Sequence, residues 1–333
     1  MHYWSWGADD CLYVVSCDGS NFGHPWARGA LLKIKGTPPG HKVEQVSDFP
    51  GFEISDHNEQ RRYPSGVLAV DNMLYVSVAE YVSDGHILFW PHYGVVAIMA
   101  SDDGGKTWIN IPDKDSTSRF LGPRYAAIQF VGFGPGYTQV PAALGDHVYG
   151  ISNDDNWESG NHVFLARAPR DNITDRKNWE FCTGGDSWVA HEDMATPIFS
   201  DPGHVSHPDM VYNPVLKRYF LSIFSDCVVH SPATPNDTAR KLWDKQTELQ
   251  IYESPDIWGP WFLVYSESPW EGPDHAPYCP RMPGKWISED GLSGTMIFSG
   301  DWMTTKEYYG LVTRSFRMIP ITHPHATALP RHL

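Results

Sequence analysis

Long apolar runs are missing from this chain of 333 residues. No stretch approaches the roughly 18 or more residues that a membrane-spanning helix needs. The opening Met1-His2-Tyr3-Trp4-Ser5-Trp6 has neither the basic start nor the aliphatic core of a cleavable signal peptide. On that reading the chain is cytosolic, a mature form, or the product of an incomplete gene. Cysteine is scarce: Cys11, Cys17, Cys182, Cys227 and Cys279 show no CxxC spacing, which argues against zinc. An odd count leaves at least one thiol unpaired. Cys11 and Cys17 fall on one predicted strand, about 20 Å apart at about 3.3 Å per residue, too far to bridge each other.

Basic residues are also in short supply, with 25 Lys and Arg against 40 Asp and Glu, for a net charge of −15. That balance argues against nucleic acid and anionic membranes, which require a basic footprint. G-x-G-x-x-G, P-loop and G-x-S-x-G patterns are absent, and the sixteen histidines have no repeated spacing that would suggest a triad. Asn172-Ile173-Thr174 and Asn236-Asp237-Thr238 match glycosylation acceptors, a tripeptide pattern common by chance.

What is present is aromatic and turn-forming: 14 Trp, 16 Tyr, 15 Phe, 29 Gly and 27 Pro, with only 20% charged residues. This composition reads as turn-rich β structure, long enough to bury a sizeable core. The chain also repeats. "ADDCLYVVSCDG" at 8–19 is echoed by "VDNMLYVSVAE" at 70–80 and "LGDHVYGISND" at 144–154. Weaker echoes are "LKRYFLSIFSD" at 216–226 and "EDGLSGTMIFSGD" at 289–301. Each is a turn cluster, a short apolar run, then an acid: Asp18, Glu80, Asp154, Asp226 and Asp301.

A strand-like segment precedes each unit ("HYWSW", "YPSGVLAV", "GYTQVPAAL", "SHPDMVYNP", "YCPRMPGKWI") and a third follows it. A fourth often follows a tryptophan. Four strands per unit and five units 62 to 76 residues apart predict one all-β domain over residues 1–333. Its expected architecture is a five-bladed β-propeller with four-stranded antiparallel blades around a central channel. The blades fall at about 1–48, 63–112, 123–183, 188–266 and 276–320, with 321–333 as a tail. A β-sandwich, or a pair of them, is the competing architecture. "SDDGGKTW" at 101–108 fits the Asp-box pattern S-x-D-x-G-x-T-W of sialidase-like propellers, a folding device with no part in catalysis.

In a propeller the second strand of each blade returns to the face where the first began. One face would therefore gather the five acids with Arg61, Arg62, Tyr137, Gln139, His207, Asp209, Tyr278 and Arg281. Strand-end acids also accept turn amides, which is the plainer account of any one of them. Two carboxylates across a cleft rimmed by aromatics suit glycoside hydrolysis. Trp4, Trp6, Trp157 and Trp302 stand near these acids in sequence, although most tryptophans here read as interblade packing. His207 and Asp209 share a strand face and could seed a metal site; a ring of carboxylates could equally hold a structural calcium ion. Neither metal is required by the reading.

"CDGSNFG…WARGALLKI" resembles the G-D-T-x-G…W-R-x-N segment of a family long labelled a domain of unknown function. "GFGPGYTQVPAALGDHVYGISNDD", "VFLARAPRDNITDRKNWEF", "YNPVLKRYFLSIF", "IYESPDIWGPW" and "GTMIFSGDW" continue the likeness in order over residues 4–315. That family is similar to five-bladed propeller glycoside hydrolases, including bacterial endo-D-arabinanases, and more distantly to arabinanase and furanosidase propellers. The resemblance implies a polysaccharide hydrolase with acids on the channel face, and Asp18 matches the family's proposed catalytic aspartate. Cys17 stands where the family has glycine, and Gly19 where it has threonine. The family's second acid lies shortly before the first inner strand. No acid precedes Asp9 in this sequence, so either the partner carboxylate lies upstream of Met1, or another blade supplies it, or the protein is not a hydrolase.

These readings combine into a glycoside hydrolase acting on a plant or microbial polysaccharide, extracellular and monomeric. Asp18 and Asp154 are its candidate catalytic pair. Gln139, His207, Asp209, Arg281, Tyr137, Trp157, Asp301 and Trp302 are the candidate substrate-binding residues, with Arg281 suited to a uronate. The alternatives are a polysaccharide lyase using His207 or Tyr137 near Arg281, and a carbohydrate-binding propeller without catalysis.

Overall fold

The alternating apolar segments form antiparallel strands joined by Asp- and Gly-containing turns. The computed structural model describes residues 1–20, 26–52, 60–82, 92–113, 118–154, 160–226, 246–300 and 310–320. Within these spans, the side chains of Asp18, Ser20, Trp26, Gln60, Arg61, Val82, His92, Tyr93 and Asp226 lie outside the description. Among the described residues there are strands and short 3-10 turns but no α-helix, and so no helix long and apolar enough to cross a membrane.

The first sheet is the meander β1 (His2–Trp6), β2 (Cys11–Ser20), β3 (Trp26–Lys35) and β4 (Lys42–Asp48). Next come β5 (Gln60–Val70), β6 (Met73–Val82) and β7 (His92–Ser101), extended by a bridge between Ala100 and Ile109. A third group follows: β8 (Gln129–Phe130), β9 (His147–Asn153), β10 (Gly160–Pro169), β11 (Glu180–Gly184) and β12 (Ser187–Val189). The fourth is β13 (Phe199–Asn213), β14 (Arg218–Asp226), β15 (Thr247–Ser254) and β16 (Phe262–Glu267). Because the start of β13 also pairs with β10, these two groups form one continuous sheet of nine strands. The last is β17 (Tyr278–Arg281), β18 (Ser293–Ser299) and β19 (Leu311–Arg317).

One expected strand takes another form. Pro135 and the "GYTQVPAAL" stretch at 136–144 make two 3-10 turns, Pro135–Tyr137 and Ala142–Leu144. Pro135 and Pro141 and the positive φ of Gly134, Gly136 and Gly145 fit turns better than a strand. The first strand of this group is instead the short β8, drawn from the buried run Ala126–Val131 just upstream.

The first strands of the five groups adjoin one another in a closed order: β1, β5, β8, β13, β17 and back to β1. Each step has its own hydrogen bond. Ala69 N donates to Ser5 Oγ (2.8 Å), and Ser65 Oγ in β5 to the carbonyl of Ile128, which leads into β8 (3.3 Å). Gly132 N donates to the Met210 carbonyl (2.8 Å) and Tyr212 N returns the bond to Gly132 (2.9 Å). Met282 N donates to Asp209 Oδ2 (3.0 Å), and Arg281 Nε to the His2 carbonyl (3.0 Å). Close approach at Gly132 is needed because a Cβ there would run into the ring of Trp4.

Aromatic side chains fill the space between neighbouring sheets. Phe49 packs on Phe52 and Trp108, Phe133 on Tyr137, Tyr149, Tyr212 and Tyr219, and the fully buried Trp270 on Phe298. Such edge and tilted pairs contribute beyond the area they bury. The turn at residues 101–108 is drawn together by Asp103. Its Oδ1 accepts from Lys106 N, Thr107 N and Ser101 Oγ, and its Oδ2 from Thr107 Oγ1. These donors, led by Thr107 N–H, hold the Asp103 carboxyl well below its usual range.

Candidate functional site

Three of the five first strands carry an X-Pro step at a register shift: Tyr63-Pro64 in β5, His207-Pro208 in β13 and Cys279-Pro280 in β17. Proline cannot donate to the ladder, so the strand bulges there and re-aims the side chains beyond it. His207 (φ 32°) and Cys279 (φ 56°) both have positive φ, an uncommon conformation for non-glycine residues, directly ahead of proline. The segments Ser206-His207-Pro208-Asp209-Met210 and Tyr278-Cys279-Pro280-Arg281-Met282 thus repeat one backbone device on adjacent strands. It delivers Asp209 from one and Arg281 from the other.

Arg281 is fully buried. Its Nε donates to the His2 carbonyl, and Nη1 lies within reach of the carbonyls of His207 (2.7 Å) and Pro208 (3.1 Å) and of Gln129 Oε1 (3.1 Å). The guanidinium also stacks 4.6 Å above the Tyr3 ring. Tyr3 and His207 share a hydrogen bond of 2.9 Å between the phenol oxygen and Nδ1. Asp209 takes Trp4 Nε1–H on both oxygens (3.1 and 3.3 Å) as well as Met282 N–H. Burial raises the Asp209 carboxyl above its ordinary range, with the Arg281 charge and these donors pulling the other way. Burial lowers His2, and the same cause raises the Tyr3 phenol. The cluster joins four first strands, β1, β8, β13 and β17.

The strand-end acids are differently placed. Glu80, at the end of β6, is held by two arginines: Arg62 Nε at 2.9 Å on one oxygen and Arg119 Nη2 at 2.7 Å on the other. Arg62 also reaches the carbonyls of Gly51 and Pro112, so this acid ties two loops to the sheet. Asp154 follows β9. Its Oδ1 accepts from Asn161 N (2.8 Å) and His162 N (2.9 Å), and Oδ2 lies 2.6 Å from His162 Nδ1. The backbone of Asp18 lies near the end of β2, between the Cys17–Gly29 and Gly19–Ala27 pairs, but its side chain lies outside the described residues. So do the side chain of Asp226 and the whole of Trp157, Asp301 and Trp302.

The structure therefore brings His207, Asp209 and Arg281 together around the ring of first strands. It places Tyr137 and Gln139 elsewhere. Arg170 links the Gly136 and Tyr137 carbonyls to Asp71 in the β5–β6 turn, and Gly136 packs against Ala8 in the β1–β2 approach. That is the end of the molecule opposite Glu80 and Asp154. The Tyr137 hydroxyl is buried and accepts from Tyr149 N. Sequence reasoning missed Tyr3, Gln129, Arg119 and His162. Gln129 was hidden by the misplaced first strand, although a lone polar residue in "YAAIQFV" marks it. His162 follows from hairpin register, because Asn153 pairs with Val163 and sets the next residues, Asp154 and His162, beside each other. Among the described residues no three His, Cys, Asp or Glu side chains gather as a metal-holding group.

A family model described as Domain of unknown function (DUF4185) matches residues 30–272. No curated protein matches the chain in sequence. Among solved structures the chain is similar to RS223-beta-xylosidase, with TM-score 0.53 and 11% identity over 96% of this chain and 92% of that one. It is also similar to the GH43_1 enzyme from Xanthomonas citri, with TM-score 0.51 and 10% identity over 94% and 86%. For the native arabinanase Arb43A of Bacillus subtilis the TM-score is 0.50 and the identity 8% over 94% and 92%. Identities this low speak for the fold alone, and the shared fold is all-β and propeller-like.

Proposed function

The chain belongs to the family described as Domain of unknown function (DUF4185), and from that premise we propose that it is a glycoside hydrolase. The observation that carries this reading is the gathering of five first strands into a closed ring, in a fold shared nearly end to end with proteins named arabinanase and β-xylosidase. On this reading the ring is the axis of a five-bladed propeller, and the ends of β2, β6 and β9 belong to its substrate face. The substrate is a polysaccharide containing arabinose or xylose, met outside the cell by a monomer.

Asp18 and Asp154 are the proposed carboxylate pair. One protonates the leaving oxygen while the other activates water or attacks the anomeric carbon. His207, Asp209 and Arg281 support the floor beneath them, since each is buried and engaged by protein groups. A lyase would need a cation for its uronate, and the buried, carbonyl-bound Arg281 is poorly placed to serve.

The test is a panel of arabinan, xylan, arabinoxylan and pectin, treated with wild type, Asp18→Asn and Asp154→Asn. Hydrolysis predicts new reducing ends without the ultraviolet absorbance of unsaturated sugars, and a loss of about 100-fold or more in each variant. Cleavage that survives both substitutions overturns the pair. Absorbing products point to a lyase, and no cleavage at all points to a binding protein.

A further inference from the structure

The Asp154 carboxylate is already occupied. Two backbone N–H groups fix Oδ1, and Oδ2 meets His162 Nδ1 at 2.6 Å, with only 8% of the Asp154 side chain exposed. A carboxylate so engaged presents little of itself to a ligand. His162 is the group that faces outward: its side chain is 34% exposed, and Nε2 has no partner among the described residues. The bond to Asp154 sets the imidazole's tautomer. With the proton on Nδ1 shared with the carboxylate, Nε2 is left bare as an acceptor.

The surrounding backbone holds this pair in place. The pairing of β10 with β13 shifts register between Gly160 and His162, and such bulges re-aim the residue that follows. Gly160 is pressed against the carbonyls of Val205 and Asp154, where a Cβ would not fit. Asn161 Oδ1 accepts from Gly203 N (3.0 Å), pinning the residue between them. The Phe164 ring, 5.8 Å from the imidazole, borders its inner side.

We infer that Asp154 acts through His162, and that the imidazole Nε2 is the atom that takes the proton from the attacking water. The inference rests on the hydrolase reading and deepens it. As the water oxygen bonds to the anomeric carbon, one of its protons passes to Nε2. The bond from that carbon to the leaving oxygen breaks, and its electron pair stays on the oxygen. That oxygen takes a proton from the general acid, which in this scheme is Asp18. The imidazolium then loses its proton to solvent and the acid regains one, restoring the enzyme. Asp154 is a positioning residue in this scheme, holding the ring and stabilising its charged form.

The experiment uses the full chain and the glycan of the panel that the wild type cleaves. His162→Gln is expected to lower kcat by about 100-fold or more with KM little changed. Asp154→Asn should fall comparably, and the double variant no further than the worse single one. In His162→Ala, added imidazole should restore part of kcat, whereas Asp154→Asn should not respond. A merely structural role would produce neither the rescue nor the shared loss. Near-normal activity in His162→Gln beside an inactive Asp154→Asn overturns the inference and leaves the hydrolase reading standing. A wild type that cleaves nothing overturns that reading itself. Circular dichroism of each variant separates misfolding from lost chemistry, and His162→Asn serves as a second substitution should His162→Gln misfold.

Discussion

Arg281 Nη1 donates to the carbonyl oxygen of His207 across 2.7 Å, joining the two bulged strands β17 and β13 at the residues that follow and precede their prolines. The same guanidinium holds β1 through the His2 carbonyl and β8 through Gln129. It is a buried cation spent mainly on carbonyl dipoles, and its removal takes a donor from four acceptors of the interior.

Arg281→Met is therefore expected to destabilise the protein by roughly 3 kcal/mol or more, since each stranded buried polar group costs about 1–3 kcal/mol. Arg281→Lys should recover part of this, having three donors in place of five. Urea denaturation followed by tryptophan fluorescence measures both. A loss below about 1 kcal/mol in the methionine variant would contradict the clamp.

Glu80 offers a contrasting case, a buried acid between two cations. Glu80→Ala takes the carboxylate partner away from the fully buried Arg62, and the expected loss is roughly 3–5 kcal/mol. Arg119→Met should cost much less, because that arginine is 21% exposed and solvent screens its half of the pair. Equal losses in the two variants would show that the burial difference has no energetic weight.

Gly132→Ala tests the close approach between β8 and the first sheet. The new methyl group would meet the Trp4 indole, the donor to both oxygens of Asp209. Overpacking of this kind costs about 1–3 kcal/mol. Trp4→Phe in the same background should relieve part of the crowding while losing the indole N–H bond. A double-mutant cycle gives the coupling, expected to be clearly non-zero.

Acid sensitivity follows from His2. Burial holds its folded-state pKa well below 6.5, so the unfolded chain takes up a proton first as the pH falls through that value. Its contribution is full above pH 6.5 and is lost below it, with a slope of at most about 1.4 kcal/mol per pH unit. Asp209 runs the other way. Its raised folded-state pKa adds a penalty as pH climbs above 3.8, which levels off once the folded group has ionised. His2→Gln should flatten the fall in urea midpoint between pH 7 and pH 5. An unchanged slope would contradict the assignment.

The acids and turns of the repeat were legible because they are local. A strand that alternates toward an Asp-Gly turn and closes on an acid announces itself within a dozen residues, as "ADDCLYVVSCDG" and "VDNMLYVSVAE" do. What each acid touches is not local. Nothing near Glu80 in the sequence points to Arg119, and nothing near Arg281 points to His2. β8 was misplaced because two pairing residues give almost no periodic signal, while the proline-rich turn after it imitates a strand in composition. Asp154 and His162 could have been matched from hairpin register alone, had the hairpin's loop length been known.

The bond from Arg281 to His2 joins positions 279 residues apart. It can form only after the intervening chain has been gathered, when most of the loop-closure entropy has already been lost. The seam between the first and last sheets is therefore a late event in assembly. Substitutions at Arg281 should speed unfolding and leave the folding rate almost untouched, whereas those in the β5–β6 hairpin should slow folding. The residue that ties most strands together at equilibrium thus has little say in how quickly they find one another.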